Sequence, residues 1–133
     1  MLRSRLDKEP ILKFLFENSS LTQAQLDTYL IEHATADEKM KLKQKLAMRD
    51  RKNVSGGAFI RTLRQAETNI KRTIYNLILF QYLGLIDDKA TAEILHIGNI
   101  LKKAENIESK EKIEEVKEII ETIIDMLSKK KRK

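Results

Sequence analysis

An all-α fold of about six helices is predicted, and three observations predict it. One proline and four glycines in 133 residues leave long stretches free of helix breakers. Apolar residues recur at spacings of three and four, the period of a helix face. Period-two alternation and Asn-Gly hairpin turns are absent. The apolar share, 41%, is enough for a core, so the chain folds rather than staying disordered. At this length one domain is expected over residues 1–128, with 1–86 as its first part, 87–128 as a helical hairpin and 129–133 as a basic tail.

Pro10 suits the first turn of a short helix over about 9–17, through Ile11, Leu12, Leu15 and Phe16, which Asn18-Ser19-Ser20 stop. Thr22 and Gln25 form a capping box, with Leu21 and Leu26 as its hydrophobic staple, and open a second helix to about His33. Thr35 and Glu38 repeat that spacing and predict a third helix through Met40, Leu42 and Leu46 to about Arg51. Lys52-Asn53-Val54-Ser55 then makes a four-residue connector. Ser55 is an N-cap for a fourth helix of about 28 residues to Leu83, closed by Gly84 at the C′ position. Asp87 or Asp88 caps a fifth, through Ile94, Leu95, Ile97, Ile100 and Leu101 to near Asn106. Ser109 starts a sixth, in which Ile113, Val116, Ile120, Ile123 and Leu127 follow 3-4-3-4 spacing and Ile119 and Ile124 widen the stripe.

Charge is zoned. The chain carries a net +6, yet residues 1–38 hold four basic and seven acidic side chains, and residues 39–72 hold eleven basic against two acidic. A net +9 over 34 consecutive residues is the strongest signal in the sequence and points to a polyanionic partner. At 100° per residue, Phe59, Leu63, Ala66, Ile70, Ile74 and Leu77 share an arc of about 80°, the face to be buried. Arg61, Arg64, Thr68, Lys71, Arg72 and Tyr75 lie opposite, as one stripe flanked by Gln65, Asn69 and Asn76. Positive charges along a rod release counterions when they meet duplex phosphates, and arginine can also take guanine edges bidentately. Ser55-Gly56-Gly57, just after Arg49, Arg51 and Lys52, adds a helix N-terminus able to receive an anion. The plainer alternative is that any exposed face of a lysine-rich protein is basic, and that the two glycines ease a turn.

The third and fourth predicted helices, joined by a short connector with a Ser-capped second member, resemble helix-turn-helix DNA-binding regulators in general, over about residues 36–76. The second helix departs from that pattern by running several turns past a groove contact, and the third is unusually charged. The resemblance implies duplex DNA as ligand, the fourth helix as recognition helix, and dimerisation. With it, the fold becomes a helix-turn-helix-like bundle with a long central helix and a C-terminal antiparallel pair.

Zero cysteines exclude disulfides, thiolate zinc sites, iron–sulfur clusters and thiol catalysis. His33 and His96 have no paired metal spacing, Asp87-Asp88 reads as a cap, and the glutamates of the sixth helix interleave with lysines as a solvated face. No phosphate loop, nucleophile elbow or dinucleotide fingerprint is present, so neither enzyme activity nor a cofactor is expected. No apolar run reaches the length of a membrane span and the first ten residues are charged, so a cytoplasmic protein, nucleoid-associated in a prokaryote, is expected. The expected function is therefore a duplex DNA-binding protein, sequence-specific or architectural and acting as a transcriptional regulator. Its contacts would be Arg49, Arg51, Lys52, Ser55, Gly56, Gly57, Arg61, Arg64, Gln65, Thr68, Lys71 and Arg72. Surplus apolar residues in helices four to six (Ile78, Leu79, Phe80, Tyr82, Leu83, Leu85 and Ile86) predict a homodimer through the C-terminal helices. The alternative is a helical protein–protein adaptor without nucleic acid. RNA binding is disfavoured because the seven aromatics form no stacking set.

Overall fold

Helices alone make the secondary structure of the described residues in the computed structural model, which describes residues 1–103 and 110–128. In chain order they are α1 (Leu2–Lys8), α2 (Pro10–Glu17), α3 (Gln23–Ala34), α4 (Leu42–Met48), α5 (Gly56–Tyr82), α6 (Asp88–Lys103) and α7 (Lys110–Ser128). The all-α expectation holds, with a long central helix and a C-terminal pair. The chain falls into two compact units, Met1–Ile74 and Tyr75–Lys133. The positions proposed for the ends of the fifth helix and the start of the sixth, Asn106 and Ser109, and the basic tail 129–133 lie outside the described residues.

α1 is the helix that periodicity did not foretell. Its seven residues are mostly charged, and what holds it is tertiary: Leu2 is fully buried and Leu6 half-buried. Glu9 breaks it from α2 in an extended conformation (φ −119°, ψ 91°), as a residue before proline prefers, and Pro10 takes the first position of α2. Asn18 and Ser19 end α2 by donating to the Phe14 and Phe16 carbonyls at 2.9 and 2.8 Å. The capping box of α3 is as predicted, Gln25 N–H donating to Thr22 Oγ1 at 3.1 Å and Thr22 N–H to Gln25 Oε1 at 3.2 Å.

The expected N-cap at Thr35 is overturned. Its hydroxyl donates back to the Ile31 carbonyl at 2.7 Å, so buried Thr35 closes α3 instead of opening the next helix. α4 starts at Leu42, where the Lys41 N–H donates to Gln44 Oε1 at 3.0 Å, and stops at Met48. The connector to α5 is therefore Arg49–Ser55, seven residues rather than four, with Asn53 in the left-handed region (φ 63°) that asparagine tolerates. α3, α4 and α5 still form an all-helical bundle consistent with a generic helix-turn-helix-like order.

The first unit is organised by a buried carboxylate. Asp27, 1% exposed, accepts from the Leu2 N–H at 3.0 Å and from the Asp50 N–H at 2.9 Å, and its Oδ2 lies 3.4 Å from Arg49 Nε. Arg49 also donates to the Ala24 carbonyl at 2.8 Å and to Thr28 Oγ1. Around it, Asp50 accepts from the Met1 ammonium and from the Arg3 N–H at 2.8 Å. Lys45 to Glu32, 2.8 Å, adds a more exposed tie between α4 and α3.

On α5 the predicted core face is only half realised. Phe59 and Ala66 are buried and Leu63 and Ile70 half-buried, whereas Ile74 and Leu77 are exposed, because the first unit ends at Ile74. Ser55 caps the helix as expected, accepting from Ala58 N–H at 3.1 Å. Gly84 (φ 72°) closes it, with the Leu85 N–H returning to the Phe80 carbonyl at 2.8 Å, the six-to-one bond of a Schellman turn. In the second unit Asp87, rather than Asp88, caps α6 by accepting from Ala90 N–H at 2.7 Å. Ala90, Ile113 and Ile123 are buried where α6 and α7 pack together, with Ile97, Leu101, Val116 and Ile120 half-buried beside them.

Asp27→Ala strands two buried amides and leaves Arg49 without its counter-charge, so urea unfolding should show a loss of about 3–5 kcal/mol; a loss under about 1 kcal/mol would show the carboxylate is not the organiser. Burial pushes the Asp50 carboxyl up, but hydrogen bonds from the Met1 ammonium and the Arg3 amide, helped by their charge, hold it below its ordinary value. A depressed carboxyl stabilises the fold above its unfolded pKa and loses that contribution as pH falls through the folded one. Stability should thus drop below about pH 4, and Asp50→Asn should flatten that acid limb in a series of thermal melts.

Candidate nucleic-acid interface

The polar face of α5 follows from the same 3.6-residue period that sets its core face. With Phe59 and Ala66 turned inward, Arg61, Arg64, Gln65, Thr68, Lys71 and Arg72 must project away from the core, and all six are exposed. Arg61 and Arg72 are separated by about 16 Å along the axis at 1.5 Å per residue. Five of these side chains (Arg61, Arg64, Gln65, Thr68 and Arg72) line one open groove of about 550 Å³ together with Gln25 and Asn69. Among the described residues no carboxylate comes within ion-pair distance of Arg61, Arg64, Lys71 or Arg72. The nearest acid in sequence, Glu67, pairs with none of them. Among the described residues their charge is therefore not neutralised, and it faces solvent.

One wall of the groove comes from outside α5. Asn69 Nδ2 donates to the Ser20 carbonyl at 2.9 Å while its Oδ1 accepts from the Ser20 hydroxyl at 2.7 Å, and Nδ2 also reaches Gln25 Oε1 at 3.4 Å. These bonds fasten α5 to the start of α3. They also occupy the amide of Asn69, one of the residues that flank the stripe. Gln25 is legible in the sequence as half of a capping box, and nothing local signals that it also forms a wall of the groove.

The residues before α5 divide. Arg51 and Lys52 are exposed, with Lys52 Nζ donating to the Ala47 carbonyl at 3.0 Å. Arg49 is 5% exposed and turned into the Asp27 network, so the structure separates it from the stripe. The reason is chemical: the buried Asp27 carboxylate, the buried Thr28 hydroxyl and the part-buried Ala24 carbonyl call for a multi-donor cation, and the guanidinium supplies it. Ser55 is committed to its cap on Ala58. At Gly56 a Cβ would come within 3.0 Å of Leu42 Cδ2, so packing of α4 on the start of α5 explains that glycine; at Gly57 the same Cβ meets open space.

Among the described residues no three His, Asp or Glu side chains are grouped to hold a metal ion. No helix among them is long and apolar enough to cross a membrane. Because Gly57 is helical and uncrowded, Gly57→Ala should raise stability by about 0.5–1 kcal/mol in thermal melts, whereas Gly56→Ala should gain nothing or lose; equal gains at both would remove the Leu42 explanation. No protein-family model, no curated protein and no solved structure matches this chain.

Proposed function

We propose that the chain is a duplex DNA-binding protein that lays the polar face of α5 along the DNA backbone, in the manner of a transcriptional regulator or an architectural factor. The observation that carries this reading is the row Arg61, Arg64, Lys71 and Arg72, exposed and, among the described residues, without an ion pair, on one side of α5. In this reading those four neutralise phosphates, with Arg51 and Lys52 extending the row before the helix. Gln65 and Thr68, in the middle of the groove, would stand nearest the base edges. A span of about 16 Å corresponds to roughly half a turn of B-DNA, a reach compatible with one face of the duplex. Arg49 has no part in it; Ser55 serves chiefly to cap the helix and Gly56 to let it start close to α4, while Gly57 meets open space. Two copies joined through the second unit would present two such rows, as helix-turn-helix regulators do. The reading gives the chain no catalytic role and needs no cofactor.

The adaptor alternative draws its support from the exposed apolar residues of the second unit rather than from the groove. The two readings separate on salt. Replacing Arg61, Arg64 and Arg72 together by Ala should leave helicity intact and weaken binding to a labelled duplex across sequences. The slope of log affinity against log salt should become shallower by about 2.7, at roughly 0.9 for each phosphate contact removed. An unchanged affinity would move the contact elsewhere, and no binding of the parent chain at 50 mM salt would leave the adaptor reading.

A further inference from the structure

The exposed face of α5 changes chemistry partway along. From Arg61 to Arg72 it is cationic; from Tyr75 the same face continues as Tyr75, Ile78, Leu79, Tyr82 and Leu83, at spacings of three, one, three and one. Counted at 100° per residue, these five fall within about 140°, one side of the helix. Each is more than half exposed, Tyr82 at 87%, and Leu85 just past the helix end prolongs the patch. No charged residue occurs from Thr73 to Ile86. A solvated helix face would carry charge here. This one is tyrosine-rich, aliphatic and neutral, which is the composition of an interface centre.

We infer that this seam pairs with a second copy of the chain. The six residues are each 51–87% exposed and adjoin one another, a contiguous apolar patch of the kind that marks an interaction site on an otherwise charged surface. Self-pairing is also what the charge pattern permits. A two-fold interface sets each patch against its own copy, and only a neutral patch avoids like-charge repulsion in a chain of net +6. The α6–α7 pair has its own buried contacts at Ala90, Ile113 and Ile123, so the seam is a separate apolar surface in the second unit. Pairing stands on exposure and charge alone and does not rest on the nucleic-acid reading.

Sedimentation of the full chain between about 1 and 100 μM tests it. The parent chain should reach a dimer and no larger species, with an association that holds or strengthens as salt is raised. Ile78→Glu with Tyr82→Glu should weaken dimerisation at least 100-fold at unchanged helicity, and Tyr82→Lys alone, at the most exposed position, should weaken it at least tenfold. Leu95→Glu, exposed but on α6, should leave it unaltered. A chain monomeric at 100 μM overturns the inference, whatever else the seam then contacts. So does a dimer indifferent to both seam variants, or one that dissolves in high salt, because basic and acidic segments would then be holding it. A monomer that still binds duplex refutes the seam and leaves the nucleic-acid reading standing; a dimer that ignores duplex does the reverse.

Discussion

The Asp27 carboxylate is the constraint on which the first unit depends. An ionised group taken out of water is tolerable only if its oxygens are fully engaged, and each engagement here joins a different stretch of chain. The Leu2 amide fixes where α1 begins, the Asp50 amide fixes the chain leaving α4, and Arg49 fills the remaining space while tying back to Ala24 and Thr28. α4 cannot continue through Arg49 because that residue must be extended to reach inward (φ −63°, ψ 142°). A seven-residue connector is the result. Its far end delivers Ser55 to cap α5, so the polar row on α5 depends, several links away, on a carboxylate it never touches.

Within α5 one periodicity serves three chemistries. Turning Phe59 and Ala66 inward commits every third or fourth intervening residue to solvent, and the sequence places cations at those positions until Tyr75 and apolar groups thereafter. Asn69 holds the register at the middle of the helix by clasping Ser20 from both its amide atoms. Fastened at that point, the helix holds the backbone beneath its cations, which make no ion pair among the described residues. That arrangement lowers the conformational entropy lost when a polyanion is bound, since the backbone beneath the cations is already ordered.

How much of this was legible in the sequence depends on how local each cause is. The Thr22–Gln25 box, the Ser55 cap and the Gly84 stop have local causes and are readable, and the cap of α6 is readable as far as the pair Asp87 or Asp88, between which the Ala90 N–H decides. The exposed polar row of α5 was readable as well, because period alone sets it against the core face. Thr35 was misread because the same hydroxyl can accept from an amide ahead or donate to a carbonyl behind, and only the burial of Ile31 and Thr35 decides between them. α1 and the inward turn of Arg49 were invisible for a stronger reason: both are caused by Asp27, distant in sequence, and nothing in a charged segment announces that one of its charges will be buried. The exposure of Ile74 and Leu77 was equally hidden, since an apolar stripe states what could be covered and not what is.

The two exposed phenols of the α5 seam have a practical optical consequence. The chain contains no tryptophan and only three tyrosines, of which Tyr29 is half-buried in the first unit while Tyr75 and Tyr82 stand in solvent on the seam. Two of the three tyrosines are thus concentrated on a single neutral strip. The protein's native fluorescence is, in effect, a label already installed at that strip, readable without attaching a dye.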